Sequence, residues 1–213
     1  NPGAIAINEV LAHSHDVASD WIELRNTTTS SINIGGWYLS DSDSNIMKYR
    51  FATGTTIPAN GPNGYLVVYE SNNFGPNSVD PNKLIGFALS ENGDTVCLAS
   101  ALDANSKLTG YREKEDFGAS ETGVSFGRYY KASTGNYNFV PMSTITAGSA
   151  NSYPKVGPIV ITEIMYNPAD TNNPNDPNEK FIELKNIGTE TIKLSLAKFT
   201  NGIDFTFPDI NLA

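Results

Sequence analysis

The sequence predicts an all-β protein, a sandwich or a barrel, on three observations. Short alternating or continuous apolar runs recur along all 213 residues, separated by clusters of Gly, Pro, Asn and Asp. None of them keeps a helical apolar period over the ten or so residues that define a helix. The step Glu91-Asn92-Gly93-Asp94 places Asn-Gly between two such runs, the strongest short-range hairpin signal. Composition agrees, because 24 Asn, 18 Gly and 12 Pro supply turns, while a 39% hydrophobic fraction with ten Tyr and ten Phe can fill a core.

In chain order the expected strands are Ala4–Leu11, Trp21–Asn26, Gly36–Ser40, Lys48–Phe51, Tyr65–Tyr69, Leu84–Ser90, Thr95–Ala99, Leu108–Arg112 and Val124–Tyr129. Each is an apolar or alternating run closed by turn-formers. In Trp21-Ile22-Glu23-Leu24 the period of two puts Ile22 and Leu24 on one face, the expected core pair, and Trp21 with Glu23 on the other. The single cysteine, Cys97, excludes an intrachain disulfide and reads as a small buried hydrophobe on its strand. The mixed charge run Arg112-Glu113-Lys114-Glu115-Asp116 reads as a solvated loop or strand end.

An internal repeat divides the chain. Ile5-Ala6-Ile7-Asn8-Glu9-Val10 returns as Ile159-Val160-Ile161-Thr162-Glu163-Ile164, and Trp21-Ile22-Glu23-Leu24-Arg25-Asn26 returns as Phe181-Ile182-Glu183-Leu184-Lys185-Asn186. Ser31-Ile32-Asn33-Ile34 then matches Thr191-Ile192-Lys193-Leu194. The second copy carries an Asn/Asp/Pro-rich insertion within Asn167–Asn178, expected as a surface loop. Between the copies, Ala147–Pro158 is rich in small residues and proline and reads as linker. The expected organisation is one complete domain over 1–152, a linker at 153–158 and the first part of a second domain over 159–213. Because the chain opens Asn1-Pro2-Gly3, it is expected to be a processed or excised piece of a larger protein.

A net charge of −9 removes the electrostatic drive for nucleic-acid binding, and the longest apolar runs fall far short of a membrane span. No phosphate-binding Gly-Lys-Ser/Thr loop, Gly-x-Ser-x-Gly elbow or His-Glu-x-x-His helix occurs, so no enzymatic activity is expected. Two constellations could hold metal. Asp41, Asp43 and Asn45 place oxygen ligands at alternate positions, as at the start of a calcium loop. His13 and His15, with Asp16 or Asp20 close behind, have His-x-His spacing suited to zinc or copper. Glu9 and Glu23 recur as Glu163 and Glu183, and this carboxylate pair reads first as a structural one that binds loop amides or Arg25. Asn26-Thr27-Thr28 is a formal glycosylation acceptor.

The motif series resembles the lamin tail domain family. The resemblance runs through Ile7-Asn8-Glu9-Val10, Asp20–Asn26, Ile34-Gly35-Gly36-Trp37-Tyr38-Leu39-Ser40-Asp41, Gly54–Gly61 and Gly64–Val68. It continues through Phe87–Leu98 and Gly123–Arg128 and ends near Ala147–Asn151. The second copy shares Thr162–Pro168 and Lys180–Asn186 but has Ser195-Leu196-Ala197 where the first has Gly-Gly-Trp. The resemblance implies an immunoglobulin-like β-sandwich, and a non-catalytic binding or structural module in tandem, within a larger exported bacterial protein. Its expected role is attachment to a protein or polysaccharide at the cell surface or outside the cell. The competing expectation is an accessory domain of a secreted metal-dependent hydrolase or nuclease, its metal near His13 and His15. The unfinished second copy implies self-association through open sheet edges.

Overall fold

The computed structural model describes residues 3–15, 18–168, 180–195, 197–199 and 202–213. The chain divides into two compact units, Asn1–Lys155 and Val156–Ala213.

The first unit is a β-sandwich of the immunoglobulin-like kind. Its strands are β1 Ile5–Leu11, β2 Trp21–Asn26, β3 Ile32–Asn33, β4 Tyr38–Ser40, β5 Tyr49–Arg50, β6 Thr56–Ile57, β7 Tyr65–Tyr69, β8 Gly93–Ala99, β9 Arg112–Gly118, β10 Phe126–Lys131 and β11 Asn136–Pro141. One sheet has the order β11-β10-β1-β2-β7 and the other β5-β4-β8-β9, with β3 and β6 as a separate ribbon. Every pairing is antiparallel. Ile5, Ile7, Ile22 and Leu24 from the first sheet share one core with Leu39, Val96, Leu98 and Phe117 from the second. Each such side chain contributes roughly 1.5–3 kcal/mol of burial. Ile22 and Leu24 are the core pair that the alternation of β2 predicts.

Tyr111 joins the layers. Its hydroxyl donates to the carbonyl of Ile5 in β1 and accepts from the Ile5 amide at 3.2 Å, while its ring lies 4.9 Å from that of Trp37. Burial, then the neighbouring Glu113 carboxylate, pushes this phenol up to about 12.

Three strand expectations are corrected. Leu84–Ser90 is not a strand: its amides bond singly to residues outside any sheet, as Leu84 to Lys48 O at 2.8 Å and Phe87 to Phe74 O, at the end of the helical turn Glu70–Phe74, at 3.0 Å. It still fills the core, because Phe87 stacks on Phe74 at 4.6 Å. The Asn92-Gly93 step is therefore a turn without a hairpin, and β8 pairs with β4 and β9 instead. Leu108–Arg112 moves along the chain to β9, which is the charged run itself. Glu113 and Glu115 there are half-buried and Phe117 is buried, so the period of two exists in burial although all but one of these side chains are charged or Gly. β11 was not expected, since Asn136-Tyr137-Asn138 offers little apolar signal; its six paired positions with β10 supply it instead.

The second unit comprises β12 Ile159–Met165, β13 Phe181–Asn186, β14 Ile192–Lys193, β15 Lys198–Phe199, β16 Phe205–Thr206 and β17 Asn211–Leu212. β12 pairs with β13, β14 with β17 and β15 with β16. The hairpin registers of the two units coincide position for position. Glu9 faces Glu23 with an irregularity after Ile7, and Glu163 faces Glu183 with an irregularity after Ile161. Asn26 Nδ2 donates to the carbonyls of Ser30 and Ile57, and Asn186 Nδ2 to those of Glu190 and Leu212. The strand after Ser195 is present as β15; Leu196 and most of the Asn167–Asn178 insertion lie outside the described residues. Ile161, Ile164 and Phe181 are exposed in this unit, whereas Leu194 is buried.

Candidate functional site

The antiparallel register sets Glu9 and Glu23 directly opposite one another, so both side chains leave the same face of the first sheet, away from the Ile22 and Leu24 core. Residues 142–151 cross over that face and close it. Glu9 Oε1 accepts from the Thr146 amide at 3.1 Å and from Ser125 Oγ at 2.5 Å, and Oε2 accepts from Thr146 Oγ1 at 2.5 Å. Glu23 Oε2 accepts from the Gly148 amide at 2.5 Å, and Oε1 from Asn8 Nδ2 at 2.6 Å. Asn151 completes the network by bonding Asn8 twice and the Arg128 carbonyl once. Both carboxylates are fully buried. Burial, opposed by the Gly148 and Asn8 donors, pushes the Glu23 carboxyl from 4.5 up to about 7, and the charge of Glu9 adds to the rise.

All four oxygens are therefore occupied by donors of the protein, with no open side toward a substrate. The pair is a latch. Loop amides hold it as the sequence suggests, but Arg25 does not, since its guanidinium bonds Asn60 Oδ1 at 3.1 Å and lies 5.3 Å from the Tyr65 ring centre. Gly127 under the crossing segment has no room for a Cβ, which would stand 2.8 Å from Asn151 Nδ2 and 3.0 Å from Met142 Cε.

Beside the latch an open cleft of about 350 Å³ separates the β10–β11 hairpin from Arg25, with residues 150–153 on its rim. It exists because β10 pairs with β1 only at Glu9–Gly127 and Val10–Phe126 and then leaves it. Arg25, Arg128, Tyr129, Tyr130, Tyr137 and Tyr153 line it. The Arg128 guanidinium lies 4.3 Å from the Tyr137 ring centre and 3.3 Å from Glu113. The Nε atoms of both arginines are buried and have no hydrogen-bond partner among the described residues. Sequence reading missed this cleft because its arginines lie far apart in the chain and its tyrosines fall in a hairpin that was half unrecognised.

The metal candidates are placed as follows. Asp41 forms an ion pair with Lys48, Asp43 lies 3.5 Å from Lys114 Nζ, and the Asn45 carbonyl accepts from Ser40 Oγ at 2.7 Å. His13 Nδ1 lies 3.0 Å from the Ser120 carbonyl, and Nε2 lies 3.0 Å from Thr122 Oγ1 and 3.4 Å from Glu91. His15 packs against Gly123, Asp20 caps the Ser14 amide at 2.9 Å, and Asp16 lies outside the described residues. Among the described residues no three His, Cys, Asp or Glu side chains gather as a metal site. No helix among them is long and apolar enough to cross a membrane.

Cys97 is buried on β8, and burial pushes its thiol up to about 11, away from nucleophilic use. Asn26 of the glycosylation motif is fully buried, its amide spent on the carbonyls of Ser30, Ile57 and Pro58. It is a structural asparagine. A search of curated proteins gives no match. Residues 1–113 match the family model described as Lamin Tail Domain.

Proposed function

Because the chain belongs to the lamin tail domain family, we propose that it is a non-catalytic binding and structural module, two lamin-tail-like units in tandem, within a larger exported bacterial protein. Its role is attachment to a protein or polysaccharide. The observation that carries this reading is the closed carboxylate pair: the most suggestive acidic constellation in the chain spends every oxygen on donors of the protein itself, Thr146, Gly148, Ser125 and Asn8. The tandem reading is supported by the coincident registers of β1–β2 and β12–β13 and by the repeated Asn26 and Asn186 amide bonds. Fold alone names no ligand.

The expected result on incubating the purified chain with phosphodiester, peptide and glycoside substrates is no turnover. Hydrolysis of any of them at a rate abolished by Glu23→Gln overturns the reading.

The exposed Ile161, Ile164, Phe181 and Phe205 of the second unit support a further arm of the same reading, pairing with a second copy of this chain. Light scattering at tens of micromolar is expected to return a dimer; a strict monomer removes this arm.

A further inference from the structure

We propose that the cleft between the β10–β11 hairpin and Arg25 binds a short oligosaccharide carrying a carboxylate, a uronic-acid sugar, through Arg25 and the tyrosines at its mouth. This deepens the attachment role and rests on the chain being a binding module.

Three observations converge. First, the cleft presents a guanidinium whose charge is not neutralised by a described ion pair. Arg25 lines this space and forms no ion pair within 4 Å among the described residues. A carboxylate is the acceptor whose two oxygens match the donors of a guanidinium. Arg128 is already neutralised by Glu113 at 3.3 Å, whereas Arg25 makes its one described side-chain hydrogen bond to the neutral Asn60. Arg25 is thus the anchor for charge.

Second, the aromatic surface is displayed. Tyr153 is 79% exposed, Tyr137 55% and Tyr130 52%, although each is a ring that a fold gains by burying. The backbone of Tyr153 is anchored, because its carbonyl accepts from the Ser143 amide at 2.9 Å, and its ring centre lies 6.5 Å from that of Tyr129. Exposed rings beside an arginine offer a flat apolar face to the C–H side of a pyranose.

Third, size and charge narrow the occupant. At about 350 Å³ the cleft lies at the small end of ligand sites and suits a ring or two. The net charge of −9 repels a long polyanion, so recognition falls to one carboxylate at short range rather than to long-range attraction.

The test is calorimetric titration of the full chain with a trimer of galacturonic acid, its methyl ester and a hexaglutamate peptide. The trimer is expected to bind, and the ester at least tenfold more weakly. Arg25→Ala is expected to weaken trimer binding about tenfold and to abolish the difference between acid and ester, which loss of the Tyr65 contact alone would not do. Tyr153→Ala, at a position that contributes little to folding, is expected to weaken both sugars about fivefold with an unchanged melting temperature. No binding of the trimer, equal binding of acid and ester by the parent chain, or binding of hexaglutamate as tight as that of the trimer overturns the proposal. Retention of the chain by another polysaccharide or a protein when the trimer fails would overturn this cleft alone, whereas turnover of a substrate would overturn the module reading itself.

Discussion

Glu9→Ala is expected to destabilise the first unit by about 3–4 kcal/mol, whereas Glu163→Ala, at the same register position of the second hairpin, costs less than about 0.5 kcal/mol. Glu9 accepts three hydrogen bonds in a fully buried setting, from the Thr146 amide, Thr146 Oγ1 and Ser125 Oγ. Removing the carboxylate leaves those donors buried without acceptors, and bonds to a charged group are each worth about 1.5–3 kcal/mol. Relief of repulsion from Glu23 and relaxation of the freed donors return part of this, which brings the expected loss below the plain sum of the three bonds. Glu163 is exposed, so water replaces whatever the substitution removes. Urea unfolding followed by the fluorescence of Trp21 and Trp37 measures the first effect, since both tryptophans belong to the first unit. A Glu9→Ala loss no larger than that of Glu163→Ala would show that the crossing segment is not held by the latch.

Stability of the first unit is expected to fall by about 3 kcal/mol between pH 4.5 and pH 8 through Glu23 alone. The sign follows from the direction of the shift. Its carboxyl rises from 4.5 to about 7 on folding, mainly by burial, so the native state holds a proton that the unfolded chain has released. The contribution is fully present below about pH 4.5 and is lost as pH rises through about 7. Glu115, raised to about 6 by burial, acts in the same sense, and so does Glu113. Asp80 and Asp116 shift downward and titrate below this window. Glu23→Gln isolates the term. Its amide turns a donor toward either the Gly148 N–H or Asn8, which lowers stability overall, yet the side chain no longer titrates. The difference between parent and variant should therefore shrink from pH 5 to pH 8, and a difference constant over that range would overturn the assignment.

Much of the first sheet was legible in the sequence because its central strands carry a local signal. Apolar alternation in Trp21–Asn26 and the mostly apolar segment Ile5–Leu11 are short-range properties, and both strands occur where the pattern places them. The failures share a cause. Leu84–Ser90 looks like a strand because Phe87 and Leu89 are buried, but an irregular loop can bury side chains without a ladder. Conversely, β9 and β11 are strands because β8 and β10 offer them unpaired edges, a reason that lies outside their own residues. The Arg25 cleft was illegible for the same reason, since it is the gap left where β10 parts from β1.

The two carboxylate pairs separate the contributions most cleanly. The sequence by itself determined that a carboxylate pair recurs, Glu9 with Glu23 and Glu163 with Glu183, at matching positions of two repeated strand pairs. The facing itself comes from the irregularity after Ile7 and Ile161, since strict alternation would have left Glu9 on the face of Ile7. Only the tertiary structure decided what each pair became. Residues 142–151 return across the first sheet and replace water by amides, so Glu9 and Glu23 are buried and Glu23 holds its proton to about pH 7. Glu163 and Glu183 remain exposed to solvent. The physical reason is desolvation, which depends on what comes to lie over a side chain and is not a property of the strand that carries it.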